Sequence, residues 1–534
     1  MRAICTLIGT LMMGLLAACG GGGGGGGGGN TNPGMPPPTT TVSGAVTFNG
    51  APMAGVTVIA FNTNSNSVFA TTTTDAAGHY SFTGMGTSCT DNCVQNFQFW
   101  PVKAGFAFTP VLASNPGGDR SAYLWNPQPF NWYVNTGAAV TRAGYNGQFT
   151  NPGGGAGITF TVINFNSTPG NSVNGANFVA YDGSTPQVHL AASGQTASYA
   201  AGDDAALHHG VAWPTVRFVD HGDGTVTDQL TGLVWLKNAG CLAAGVWATA
   251  VAEATQLASG ACGLSDGSTA GQWRLPNLWE MESLVDESAS SPALTAGNPF
   301  TNVNLTGYWT STSYYGGITG SPEAWVVRLS DGRYINDNTN NVKLTSSNAV
   351  WAVKGSSNGT VKLQATGEYV PFAPNDDGMV EAGVPLTYPR MRDNGNGTVT
   401  DTMTGLIWMK QADCINTSWT GALQAVAGLA SGQCGLSDGS KPGDWRMPNR
   451  KEMQSLSDRG MNNHADYWDT LFTSKTGTIP SQPPVFTHFI QFQYYWTSTT
   501  DAANTSEAWT VFSCDYGVYD IAKSNLGYTL AVRG

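Results

Sequence analysis

From residue 41 the chain alternates apolar and polar positions in short runs, VSGAVTF, AGVTVIAF and HYSFTGM, separated by NGAP and DAAG. A period of two in β-branched and aromatic residues, bounded by Gly, Asn and Asp, predicts short strands joined by tight turns, and so an all-β sandwich. After residue 188 the period changes. Trp247, Val251, Ala254 and Leu257 are spaced for one face of a helix, and Asn277 followed by Glu280 reads as a capping box opening a second helix. Apolar strand-type runs come last: YWTST from Tyr308 and AWVVRL from Ala324.

The same order returns. Val188-His189-Leu190 and Val361-Lys362-Leu363 open two units offset by 173 residues, and the offset persists through Asp203/Asp376, Asp220/Asp393 and Cys241/Cys414. Between Asp220 and Cys241, 14 of 22 positions are identical, which chance does not produce, so the chain carries a tandem duplication. After a one-residue deletion, Leu257 to Asn277 matches Leu429 to Asn449, and the units close on Ala352-Val353-Lys354-Gly355 and Ala531-Val532-Arg533-Gly534. The expected organisation is a signal peptide over 1–18, a tether over 19–40, a β-sandwich stalk over 41–170 and a connector over 171–187. Repeated modules over 188–355 and 356–534 follow.

Composition narrows the functional classes. Only 11% of the 534 residues are charged and the net charge is -12, which disfavours a polyanion-binding surface and with it nucleic acid. Arg2 and the apolar run Ile4 to Leu16 read as a targeting segment, too short to span a bilayer. Leu16-Ala17-Ala18-Cys19 resembles the lipobox of bacterial lipoproteins, in which the cysteine is acylated, and Gly20 after it resembles the outer-membrane-sorted type. Membrane contact is therefore expected through the lipid on Cys19 alone, in an outer membrane lipoprotein exposed at the cell surface. Ten glycines, Gly20 to Gly29, and a Pro/Thr-rich run make a flexible tether reaching roughly 25 Å.

Two resemblances bear on fold. VSGAVTFNGAPMAGVTVIAF with TTDAAGHYSFTGM and KAGFAFTP resembles carboxypeptidase-regulatory-like, transthyretin-like sandwiches. The marks DGTVTDxxTGLxW, WRLPN or WRMPN, YWTSTS or YWTSTT, and AWVV or AWTV resemble the C-terminal domain family of bacterial collagen-like adhesins, the Lcl C-terminal type. That resemblance implies two α+β, C-type-lectin-like modules after the sandwich, and attachment at cell surfaces.

The stretch DGTVTDQLTGLVW, Asp223 to Trp235, poses a choice between a calcium loop and a turn. Asp220, Asp223 and Asp228, with Asp393 and Asp401 in the second unit, are the candidate ligands. Their spacing departs from the alternate-position oxygens of a calcium loop, and Asp223 becomes Asn396, as expected of an Asp-Gly or Asn-Gly hairpin turn. Scaffold is the favoured reading and no cofactor is expected, with calcium the alternative.

Cys241 with Cys262, and Cys414 with Cys434, bracket the first helix of each unit as expected of structural disulfides, while Cys89 and Cys93 can close a short loop. Cys514 has no counterpart and is expected as a buried free thiol. The seven histidines show no metal-ligand spacing, and no GxSxG or phosphate loop is present. Glu280/Glu452 and Asp286/Asp458 are expected at helix caps and ends, and Arg274/Arg446 beside an internal carboxylate. The tryptophan pairs 235/408, 247/419, 273/445, 309/496 and 325/509 are expected in the core.

No catalysis is expected. The function indicated is a surface-anchored adhesin whose ligand is a glycan, a matrix component or a cell-surface protein. The rivals are an enzyme of formylglycine-generating-like fold and a purely structural envelope protein. Binding is expected in the irregular segments, through Asn304, Tyr314 and Tyr315 in the first unit and Asn462, Tyr467 and Trp468 in the second. Aromatic faces stack on sugars, and amides pair with hydroxyls.

Overall fold

The early alternating runs fold as strands. Thr40–Phe48 pairs antiparallel with His79–Met85 and parallel with Asn177–Tyr181, while Thr57–Asn62 pairs with Ser67–Thr73 and Val94–Val102 in a second sheet. Val46, Val58, Tyr80, Phe82, Phe99 and Phe108 form one buried cluster. Residues 172–181, read from sequence as part of a connector, instead add strands along Thr40–Phe48, because an open edge gains by pairing its free amides and carbonyls. The computed structural model describes residues 40–62, 67–85, 94–103, 106–111, 123–124, 130–135, 146–149, 158–161, 172–174 and 177–181 of this region. Beyond it, residues 187–534 are described apart from 315–322, 336–341, 369–371, 387–389, 458, 460–484, 491 and 514–516.

Each repeat builds the same pair of sheets. In the first, Phe218–Asp220, Thr225–Asp228, Val234–Leu236 and Val353–Lys354 lie in that order, so the last strand closes on the third. Leu242–Gly245, Asn348–Val350, Tyr308–Tyr314, Glu323–Val327 and Tyr334–Ile335 make the other. The second repeat reproduces both orders, ending with Val532–Arg533 on Ile407–Met409. The modules are mostly β, with six short helices among the described residues. These are α1 Asp204–Leu207, α2 Trp247–Gln256, α3 Leu278–Ser283, α4 Asp377–Val380, α5 Trp419–Ala427 and α6 Arg450–Ser455.

Periodicity and capping act as read. Helix α2 buries Trp247, Ala250, Val251 and Ala254 on one face, and α3 starts at Asn277, whose side chain accepts from the Glu280 amide while the Glu280 carboxylate accepts from the Asn277 amide. Disulfides Cys241–Cys262 and Cys414–Cys434 each hold Cα atoms 5.6 Å apart across the first helix of their module. All ten paired tryptophans are at most 2% exposed. Each contributes a large apolar surface to the core.

The segments that open the two repeats dock crosswise. Arm 1, residues 187–212, precedes the first module yet lies on the second: the Gln187 and Val188 amides donate to the Met403 carbonyl, and Asn449 Nδ2 donates to the carbonyl of His209. Arm 2, residues 361–386, lies on the first: the Val361 amide donates to the Leu230 carbonyl, and Asn277 Nδ2 to that of Ala382. Repeat boundaries drawn from sequence thus differ from the packed units, because each module's face is covered by the arm of its twin.

Candidate functional site

The DGTVTD stretch is a braced turn. Gly224 has φ +87°, and a Cβ there would stand 2.5 Å from the Gly263 carbonyl oxygen, so glycine is required twice over. Asp223 Oδ1 accepts from the amide and the hydroxyl of Thr225, as Asn396 Oδ1 does from those of Thr398. Asp220 and Asp393 pair with Lys237 and Lys410 at 2.6 Å. Buried Asp228 is gripped by Arg217 at 3.1 Å through two bonds and accepts from the Leu230 amide, and Arg390 grips Asp401 at 2.8 and 2.7 Å. The five carboxylates proposed for calcium are thus each engaged by protein groups. Arg217 and Arg390 escaped the sequence reading, although the 173-residue offset aligns them.

The WRxPN motif does similar work. Arg274 and Arg446 make fork-to-fork pairs with Glu280 and Glu452, all four bonds 2.6 Å, joining the helix cap to the sheet. Asp286 Oδ1 accepts from the amide and hydroxyl of Ser288 just past α3; Asp458 lies outside the described residues.

A cluster of buried ionisable groups sits where each arm docks. In arm 2, Asp376 caps α4, and Asp377 Oδ2 accepts from Thr366 and, across the interface, from Thr312, both at 2.6 Å. Glu368 Oε2 accepts from the Ser313 amide at 2.7 Å, and Lys343 Nζ donates to Ser313 Oγ at 2.6 Å from between the rings of Trp247 and Phe372. Burial pushes Asp377 up to about 7, Asp376 to about 6 and Glu368 well above the carboxylate range, and holds Lys343 down to about 8. In arm 1, Asp204 Oδ2 accepts from Thr499 at 2.6 Å, Lys523 lies over Tyr199 and Trp419, and Gln195 stands where arm 2 has Glu368.

Between the modules the helices α3 and α6 meet with unlike residues at like positions. Fully buried Arg450 reaches Glu282 at 3.0 Å and Glu287 at 2.9 Å, and covers Trp509. Arg459 donates to Tyr334 Oη at 2.9 Å and lies over Trp325 and Trp279. Burial pushes Glu287 up to about 7 against the pull of Arg450 and Lys451. The repeat equivalents of Arg450 and Arg459 are Leu278 and Glu287. A shallow cleft runs beside this contact, lined by Val188, Leu190, Trp279, Val361, Leu363 and Lys451.

The residues expected to bind ligand are dispersed. Tyr314 is half-buried at the end of strand Tyr308–Tyr314, its ring edge-on to Trp325 at 5.0 Å. Asn304 builds a turn: its amide donates to Tyr308 Oη, and its Oδ1 accepts from the amide and hydroxyl of Thr306. Tyr315, Asn462, Tyr467 and Trp468 lie outside the described residues, as do Cys19, Cys89, Cys93 and Cys514. Among the described residues, the carboxylates of Asp501, Glu507 and Asp520 are close enough to share a cation, but Arg333 already pairs with Asp520.

A family model described as the Lcl C-terminal domain matches residues 224–354 and 397–533, just over half of the chain. Both matches start within the braced turn and end on the strand that closes its sheet, so neither match includes an arm. No curated protein matches the chain.

Proposed function

The chain belongs to the Lcl C-terminal domain family, and from that footing we propose that it is a surface-anchored binding protein, an adhesin rather than an enzyme. Two such domains fit a surface adhesin-like protein. The observation that carries the reading is the engagement of the repeated polar residues. Arg274 is committed to Glu280, Arg217 to Asp228 and the arm acids to threonines, so the shared motifs build a frame, and recognition falls to segments that differ between copies. Among these are 287–307 and 313–323 in the first module, and 459–493 and 500–507 in the second. In this reading the modules are C-type-lectin-like, the strands of residues 40–181 form a sandwich stalk, and Cys19 carries the lipid that holds the molecule at the outer membrane. The ligand class is a glycan or a glycosylated surface protein, bound without a resident cofactor.

The test is a glycan array probed with the mature chain, with calcium and with chelator. Binding to a defined sugar family in both conditions supports the reading. Binding abolished by chelator would restore calcium to the site, and a chain that binds nothing on the array or on intact cells contradicts it.

A further inference from the structure

The two arm-docking sites share a plan, and at one buried position they differ in a way that separates the roles of the two arms. In arm 1, Gln195 makes a pair of bonds with a single strand residue: its Oε1 accepts from the Thr500 amide at 3.0 Å and its Nε2 donates to the Thr500 carbonyl at 2.7 Å. In arm 2 the equivalent side chain is Glu368, whose Oε2 accepts from the amide of Ser313, the equivalent of Thr500. Its Oε1 is buried with no hydrogen-bond partner, and the residue is only 2% exposed. A carboxylate cannot donate, whereas a carboxylic acid can and is nearly isosteric with glutamine. We propose that Glu368 is seated as the neutral acid, donating to the Ser313 carbonyl as Gln195 does to Thr500, and that arm 2 is a pH-sensitive latch loosened when this proton is lost.

The surroundings agree. From its own arm Glu368 faces Asp376 and Asp377, which raise its proton affinity further, and the first module presents Lys343, which acts the other way. Lys343 itself answers to Asp376 and Glu323 as well, and Asp377 feels Glu280, which is already bound to Arg274. Several carboxyls therefore crowd a single ammonium away from water, and protonating one of them is the least costly resolution. The folded pKa values of Glu368, Asp377 and Asp376 lie above those of an unfolded chain, so their contribution to holding the arm is complete only below the ordinary carboxyl range near about pH 4 and declines above it. It is lost as pH rises through about 6 to about 7 for Asp376 and Asp377, and higher for Glu368. Lys343, depressed to about 8, offsets this only above that pH. Arm 1 lacks the device, since Gln195 does not titrate; the raised acids around it are Asp204, to about 6, and Glu287, to about 7, whose backbone amide donates to the Ser193 carbonyl.

Hydrogen–deuterium exchange on the full mature chain, corrected for intrinsic rates, reads each arm separately. Between about pH 5.5 and about pH 8, amides of residues 361–386 are expected to lose protection roughly tenfold, and those of 187–212 less. Glu368→Gln should flatten the response of arm 2, and Gln195→Glu should transfer it to arm 1. Arms that respond alike in the wild type, or a Glu368→Gln chain whose arm 2 still loosens as before, would overturn the latch. So would a Gln195→Glu chain whose arm 1 gains no pH dependence.

Discussion

Trp273 and Trp445 are the residues at which core and motif coincide, each at most 2% exposed and each with a cation, Lys354 or Arg533, over its ring. Truncating either to alanine should cost about 3 to 5 kcal/mol of module stability, read from denaturant melts of the full chain. Arg390 makes a similar case by another route, because Asp401 is fully buried beneath it. Arg390→Met leaves that carboxylate uncompensated and should destabilise the second module by about 3 to 5 kcal/mol, whereas changing Lys410 on exposed Asp393 should cost less than about 1 kcal/mol. Loss of equal size in both variants would mean that the turn is held by something other than its arginine. The residue scale was also the most legible one. Aspartate yielding to asparagine at 223/396 gave away the turn, and Asn277 with Glu280 the cap. The grip of Arg217 and Arg390 leaves no mark in local spacing, being a contact made in space across a hairpin.

At the scale of elements, strands and helices follow the hydrophobic period, since burial of one face decides both. The arms do not follow from any pattern. Asp204 meets Thr499 across 295 positions and Asp377 meets Thr312 across 65, yet both arms carry an Asp at the equivalent position and both modules a threonine to meet it. Sequence is therefore indifferent between docking on the adjacent module and docking on its twin. The asymmetry that pairs the modules was visible as exchanges, Leu278 for Arg450 and Glu287 for Arg459, but their meaning needed the two helices face to face. Two outcomes follow. Peptide mapping without reduction should return Cys241 joined to Cys262 and Cys414 to Cys434, with no bond between modules, because each pair brackets its own helix. Residues 188–355 expressed alone keep arm 1 but lose both its dock and the arm that covers the first module. That fragment should aggregate or pair with itself in sedimentation, while 188–534 should sediment as a monomer. A monomeric, cooperatively melting 188–355 would contradict the crosswise docking.

For the whole molecule, the proposal is that tether, stalk and paired modules present loops at a distance from a membrane. The described residues hold no helix long and apolar enough to cross a bilayer, and the attachment proposed is through Cys19. Labelled palmitate should enter the wild type and be lost in Cys19→Ala, with the variant released from the membrane fraction. Labelling that survives would remove the lipid anchor from the account. Since a single acyl chain binds membranes only marginally, firm retention also requires more than one. Two modules on each chain, and many chains on a surface, then raise weak binding by avidity if both reach the same target.

The central claim is that binding resides in the irregular segments and not in the shared frame, and one paired measurement tests it directly. Tyr314 supports Trp325 and is a poor probe, so the informative variants are Tyr315→Ala and Trp468→Ala. Each is assayed for attachment of chain-coated beads to cells or to the sugar picked out on the array, and for thermal stability. The account predicts attachment reduced severalfold or more with melting temperature nearly unchanged. Attachment that persists in both variants, or that falls only in step with melting, would contradict it.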